Sequence, residues 1–456
     1  MTKKSKIKLG VCLLLVIALI IWVASRWNVW FGNPPEPAYN TEKEPHRVLM
    51  TMGNYGENSR IITWQADTMA QEGELKLFYQ PAGGEDVVNV QTIKANCKVV
   101  ETRGGKVAFY RTQLDSLPFS SNGYRFTVKS GDKTSGIYTF DSPKKKETAS
   151  FIFMGDVQDT LKGLSHDLFT AIDQRNTDAD FWLFGGDLVE RPIDGYWQVA
   201  FDDLDSIATK KPVLGISGNH EYLKGVVKEL DPRLGQVFGY YQNSKIGDNH
   251  VFSFAYGSAR FFLLDSNTDV WNLPTQSEWL ENLLTACTEK WKIVVLHHPL
   301  YSNKGKQYNP MVKWAFGDLV KKYKVDLVLQ AHEHVYARWN DKDEKGNYMP
   351  PVYLSTYCSP KQYQMHFDVP EDRIGTNDRF YQRISFNADS LNICTYTASD
   401  HKVYDHICIT KADEYKVNDL FKDAPQKVEI SNWFKLNKGR HLKEYEADIE
   451  KWKNRR

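Results

Sequence analysis

Two histidines separated by one glutamate, His332 and His334 in QAHEHVYAR, close a short apolar run. Four similar runs end in polar groups of the same kind. Asp156 and Gln158 follow FIFMG, and Asp187 and Glu190 follow FWLFGG. Asn219, His220 and Glu221 follow VLGISG, and His297 and His298 follow KIVVL. Carboxylate oxygen, amide oxygen and imidazole nitrogen are donors for first-row metals such as Fe, Zn or Mn. No thiolate joins them, which disfavours a soft structural site. The donors are too many for one tetrahedral ion. Two ions sharing a carboxylate, about 3.5–4 Å apart, account for them and would clamp a phosphoryl group undergoing in-line displacement.

Each group alone has an ordinary explanation. Asp after Gly at a strand end is a turn former or helix cap, and a His beside Pro is usually a satisfied surface residue. Five together, in this order, are not explained that way.

The elements that must carry them follow from hydrophobic patterning. After Ser150, short apolar runs alternate with helical stretches such as LSHDLFTAIDQRN and YWQVAFDDLDSIATK. Strand, polar loop and helix in repetition indicate a layered α/β domain over 151–411. The strand C-termini of such a sheet form the crevice where ligands bind. Asp265, also at a strand end, reads as a loop hydrogen-bonding residue. Glu333 reads as solvent-facing, and Tyr336 and Arg338 either reach a phosphate or lie on the surface.

Residues 47–142 show a different pattern, with short strand-like runs (RIITWQA, ELKLFY, KVAFYRTQL, GYRFTVKS) between turn signals. Evenly spaced short strands predict an all-β sandwich, with Trp64 and Tyr124 buried. The polar stretch 142–150 marks the boundary between the two domains. Residues 412–456 read as a charged C-terminal extension ending in a helix.

The first 31 residues are a cationic stub and an apolar run, KKSKIKLGVCLLLVIALIIWVAS. A signal peptide and a single membrane anchor both fit, and either exports the rest to a periplasmic or extracellular location. Residues 32–46, rich in Pro and Glu, read as a linker spacing the body from the membrane. Of 456 residues, 41% are hydrophobic and 25% charged, and the net charge of +1 lacks the basic face that nucleic-acid binding needs. Six cysteines, none in CxxC spacing, argue against a zinc–cysteine site.

The ordered set GD…GD…GNHE…HxP…HxH resembles the calcineurin-like metallophosphoesterase superfamily, and with the preceding sandwich it looks most like its purple acid phosphatase branch. LDSLPFSSNGYRFTVKSG similarly resembles a fibronectin type III domain. The resemblance implies an α/β/β/α phosphoesterase layer structure, two metal ions, and hydrolysis of phosphate esters, monoesters first, by a metal-bridging hydroxide. A phosphodiesterase, or a surface binding protein with an inactive metal site, is the alternative. It implies that Asp187 bridges both metals, that Asp156 and His334 hold one, and that Asn219, His297 and His332 hold the other. His220 becomes the general acid or oxyanion stabiliser, against a purely loop-orienting role. Where the purple enzymes carry a metal-bound tyrosine stands Glu190, which either ligates metal or binds a lysine or water. Where many members carry His stands Gln158, either a weak metal ligand or a contact to substrate or to the ligands. The absent tyrosine implies that no violet charge-transfer band forms.

Overall fold

The computed structural model describes residues 3–455 apart from 40, 55, 82–87, 119, 121, 144–146, 159–162, 241–244, 248–249, 305–308 and 368–370. Part of the expected domain boundary, 144–146, therefore lies outside the described residues.

A helix, Lys3–Phe31, comes first. Its apolar part, Ile7–Phe31, spans 25 residues, and none of its apolar window is buried among the described residues. At about 1.5 Å per residue it exceeds the ~30 Å hydrocarbon core of a bilayer.

Segment 32–46 was expected to be a spacer, but it is fastened to both domains. The Glu36 carboxylate pairs with the buried Arg233 guanidinium and accepts from the Asp194 N–H at 2.7 Å. The Tyr39 N–H donates to the Gly104 carbonyl at 3.0 Å. Composition missed this because every partner lies in a distant part of the sequence.

The β domain is a two-sheet sandwich. One sheet runs in the order His46–Met52, Arg60–Ala66, Gly105–Leu114, Asn96–Thr102. The other runs Asn89–Lys94, Gly73–Tyr79, Tyr124–Ser130, with Lys133–Thr134 and Tyr138–Phe140 both pairing Tyr124–Ser130. Their inner faces share one core of Met50, Ile62, Trp64, Leu75, Leu77, Phe126 and Val128. Trp64 stacks on Tyr110 at 5.4 Å and donates to Ser130 Oγ at 2.9 Å. Tyr124, buried as expected, donates its hydroxyl back to the Pro118 carbonyl at 2.5 Å, the corner that fixes the entry to this strand.

The larger domain holds two seven-stranded sheets. The first has the order Val213–Gly215, Phe181–Phe184, Ala149–Met154, Phe380–Phe386, Ser390–Thr397, Val403–Thr410, Lys416–Asp419. The second has the order Phe252–Tyr256, Ala259–Leu263, Trp291–Val295, Leu327–Gln330, Tyr348–Ser355, Tyr336–Lys342, Arg373–Gly375. Strand periodicity places neighbouring residues in different layers. Phe181 meets Phe261 of the opposite sheet at 5.5 Å, whereas Trp182 meets Phe169 of the helix Leu164–Arg175 at 5.6 Å. Ile293 and Val295 join the inter-sheet core, whereas Val294 joins the core with the helices Leu273–Ala286 and Pro310–Lys322. The order helix, sheet, sheet, helix is the α/β/β/α arrangement expected.

The C-terminal residues are built into this body. Lys416–Asp419 extends the first sheet. The helices Asn432–Asn437 and Leu442–Lys453 bury Phe434, Tyr445 and Ile449 against Val335, Met365 and Ile374. Charge had masked the i, i+4 pair Tyr445 and Ile449 on the last helix. All six cysteines are free thiols.

Candidate metal centre

Five strand ends meet at one edge of the two sheets. Asp156 follows Ala149–Met154, Asp187 follows Phe181–Phe184, and Asn219 follows Val213–Gly215. These three strands are parallel neighbours. His297 follows Trp291–Val295, and His332 and His334 follow Leu327–Gln330, a parallel pair of the second sheet. The backbone makes abrupt turns there. Asp156, Asp187, His332 and His334 have φ of 48°, 53°, 72° and 53°, a left-handed conformation that costs a non-glycine residue about 1–2 kcal/mol. Strain of this kind gathers at functional sites, where the fold over-determines it.

The glycines of the motifs clear space for the side chains gathered here. A Cβ on Gly186, itself at φ 91°, would stand 2.6 Å from His297 Nδ1. One on Gly218 would overlap Asp187 Oδ1, and one on Gly155 would stand 2.5 Å from the Ala331 Cβ. Ala331 keeps φ outside the left-handed region, so its side chain is tolerated there.

The donors fall into two groups. Asp187 Oδ2 lies 3.3 Å from His297 Nε2, and Asn219 Oδ1 lies 3.3 Å from His297 Nε2 and 2.8 Å from His332 Nδ1. Donor atoms of Asp187, His297 and His332 all lie within 4.8 Å of one another. Separately, Asp156 Oδ1 lies 3.4 Å from His334 Nε2. Among the described residues no hydrogen-bond donor reaches this buried oxygen. A buried carboxylate oxygen without a donor, facing an imidazole nitrogen, fits a cation site. The nitrogen and oxygen donor set fits Fe, Zn or Mn.

Backbone carbonyls orient the rings. His297 Nδ1–H donates to the Gly185 carbonyl at 2.8 Å and His334 Nδ1–H to the Lys361 carbonyl at 3.0 Å, which leaves each Nε2 free to ligate. His220 Nδ1–H donates to the Glu190 carbonyl at 2.5 Å, and its Nε2 faces Asp187 Oδ2 at 3.8 Å. Burial raises the Asp187 carboxyl, but His297 and His220 beside it outweigh that and hold it ionised. Burial lowers His297, yet Asp187 and its other acceptors carry it up to about 9. Burial and His297 hold His298 down at about 3, so that ring stays neutral. It bonds Ser266 Oγ at 3.1 Å and lies outside the three-group cluster.

Several residues differ from their sequence reading. Gln158 is buried, with its amide nitrogen directed at the carbonyls of Asp156 at 3.3 Å and Asp187 at 3.0 Å. It ties the loops of Asp156 and Asp187 together, the contact-to-ligands reading of that position. Glu190 pairs with Lys361 Nζ at 2.5 Å, the lysine reading of that position. Glu333 is not solvent-facing. It points away from the metal ligands into the interior, accepting from Ser302 Oγ and from the Asn303 N–H at 2.6 Å. Tyr336 and Arg338 reach neither phosphate nor surface. Both are buried on Asp405, each at 2.6 Å. Asp265 is the loop hydrogen-bonding residue expected, accepting from Asn267 N–H at 3.0 Å and bonding His250 Nδ1 at 2.5 Å.

Sequence reasoning gave Glu221 no role. It accepts backbone N–H bonds from Gly218, Asp187, Leu188 and Val189 at 2.7–3.1 Å, joining the loops of Asp187 and Asn219. Its place directly after Asn-His at a strand end was the available signal. Lys361, Tyr363 and Lys304 carried no local signal. The Tyr363 ring packs 4.3 Å from His334, and Lys304 Nζ lies 4.1 Å over Tyr363.

Residues 149–336 match the family model described as calcineurin-like phosphoesterase. A phosphoenolpyruvate phosphatase from Allium cepa is 26% identical over 318 residues, 64% of this chain and 63% of the relative. An Fe(3+)-Zn(2+) purple acid phosphatase from Arabidopsis thaliana is 23% identical over 68% of this chain and 66% of the relative. The chain thus spans a little under two thirds of the length of these relatives. Among solved structures, a purple acid phosphatase from yellow lupin (Lupinus luteus) superposes with a TM-score of 0.63 at 18% identity, covering 86% of this chain and 79% of that one. PhoD superposes with a TM-score of 0.58 at 13% identity, covering 91% and 100%.

Proposed function

We propose that the calcineurin-like phosphoesterase domain of this chain hydrolyses phosphate esters, monoesters in the first place, at a dinuclear metal centre. The observation that carries this is the meeting of Asp156, Asp187, Asn219, His220, His297, His332 and His334 from five strand ends. The two groups of donors support assigning Asp156 and His334 to one ion and Asn219, His297 and His332 to the other, with Asp187 shared. Two bound ions supply a nucleophile near neutral pH and neutralise phosphoryl charge.

The chain's own residues supply the rest. The Glu190 carbonyl fixes the His220 ring through Nδ1, so Nε2 is the atom turned to the site. Burial disfavours a proton there, but Asp187 and the Glu190 carbonyl outweigh burial and raise the group. Nε2 of His220 is thereby placed to give a proton to the leaving oxygen as the ester bond breaks. The relatives' names favour a monoester. The paired strands and the Tyr124 corner favour a fibronectin type III-like sandwich. The apolar helix Lys3–Phe31, long enough to cross a bilayer, reads as an anchor of an exported body.

The test is hydrolysis of p-nitrophenyl phosphate against bis-p-nitrophenyl phosphate by protein reloaded with Fe, Zn or Mn, with Asp187→Asn as control. Faster monoester turnover that the control abolishes is the expected result. Diester preference would overturn the substrate class. Metal binding at two equivalents without turnover of either ester would leave a surface binding protein.

A further inference from the structure

We propose that the hairpin tip at Val226–Val227 and the turn at Val270–Trp271 form a seat that dips into the bilayer interface beside the N-terminal helix. The inference rests on reading that helix as a retained anchor.

The hairpin Tyr222–Leu223 with Glu229–Leu230 starts directly after Glu221. Its tip carries Gly225, Val226 and Val227. Solvent turns normally use Gly, Asn, Asp, Ser or Pro, and two adjacent valines in their place are 68% and 62% exposed. The short turn Val270–Asn272 presents Val270 and Trp271, which are 48% and 61% exposed. The two tips are joined. The Lys228 N–H donates to Asp269 Oδ2 at 3.2 Å, and Lys228 Nζ donates to the Asn267 carbonyl at 3.0 Å. Four exposed apolar side chains therefore stand on two turns that Lys228 joins, an arrangement that marks an interaction surface.

The place of this patch identifies its occupant. Asn33 lies two residues beyond the end of the helix, and its side chain bonds the Lys224 carbonyl and N–H, each at 2.8 Å. Val226 lies two residues beyond Lys224. At about 3.5 Å per residue, each step reaches no more than ~7 Å. The patch therefore lies close to the end of the helix that carries Trp27, Trp30 and Phe31. Aromatic residues favour the bilayer interface, with an apolar body in lipid and a polar edge in water. A bilayer interface is the one apolar phase that the connectivity forces into this position. Because the hairpin is rooted at Glu221, the seat also fixes the height of the metal centre above the membrane.

The test uses the full chain reconstituted in phosphatidylcholine vesicles whose acyl chains carry bromine, a short-range quencher of indole emission. Subtracting the emission of Trp271→Phe isolates Trp271. Quenching of this difference signal by bromolipid, diminished in the double variant Val226→Ser/Val227→Ser, is the expected result. Hydrolysis of soluble p-nitrophenyl phosphate should be unchanged in both variants. A difference signal insensitive to bromolipid, with Trp22, Trp27 and Trp30 still quenched, would overturn the seat and leave the anchor standing. No quenching at all, with the chain released by alkaline carbonate, would overturn the anchor and the seat together.

Discussion

The carboxylate of Glu190 and the ammonium of Lys361 meet at 2.5 Å and join the two loops that orient the site's outer histidines. Glu190 holds His220 through its carbonyl, and Lys361 holds His334 through its own. Both side chains are mostly buried, so removing one leaves the other charge poorly solvated. Lys361→Met should destabilise the protein by about 1–3 kcal/mol and lower kcat. Lys361→Met/Glu190→Gln should recover much of both. Urea unfolding and ester hydrolysis of the wild type, Lys361→Met, Glu190→Gln and the double variant measure the coupling. A value below about 0.5 kcal/mol would mean the loops hold without the pair.

His220 should matter most when the leaving group is poor. His220→Ala should cost about 10²–10⁴ in kcat on an alkyl phosphate, less on p-nitrophenyl phosphate, and leave the metal content unchanged. An equal loss on both esters would assign His220 to orienting the loop.

Gly186 and Gly195 make a paired test of backbone demands. Gly186→Ala forces a Cβ against His297 at a left-handed position and should reduce both stability and metal affinity. Gly195 opens the helix Asp194–Leu204, and a Cβ there meets nothing within 4 Å. Gly195→Ala should stabilise by about 0.5–1 kcal/mol. Thermal unfolding and metal titration distinguish the two, and equal behaviour would contradict the geometry.

Glu333 predicts a pH dependence. Burial pushes its carboxyl up to about 7, against Ser302 and Asn303, which pull it down. A group raised on folding stabilises fully below its unfolded value, about 4.3 for glutamate. That contribution is lost as pH rises through about 7, and it amounts to about 3 kcal/mol. In chelated protein, Glu333→Gln should flatten the decline in urea stability between pH 4.5 and 8. An unchanged slope would remove Glu333 as its source.

Iron-loaded protein should lack a violet phenolate band, since Glu190 stands where a ligating tyrosine would and is turned to Lys361. Visible absorption after iron loading checks this. A band abolished by Tyr363→Phe would instead show phenolate ligation from beside His334.

The cluster of candidate metal ligands was legible because strand ends write their chemistry locally. Gly-Asp, Gly-Asn-His and His-x-His each sit within a few residues of an apolar run, so type, order and clearing glycine survive in the linear text. Residues whose roles depend on distant partners were not legible. Glu333 and Gln158 carry no local mark of what they hold, and Arg338 gives no sign of Asp405 lying 67 residues away. The sandwich strands Asn89–Lys94 and Asn96–Thr102 also lacked a strong pattern, since much of each faces solvent.

The sequence by itself determined the layered α/β body, the preceding sandwich, the apolar N-terminal segment and the donors at five strand ends, because hydrophobic period and turn chemistry are short-range properties. Tertiary structure alone decided that Glu221 binds four amides, that Lys361 joins two histidine loops, and that Glu36 fastens the segment after the helix to Arg233. These depend on which surfaces meet when the sheets pack, and spacing along the chain does not encode that.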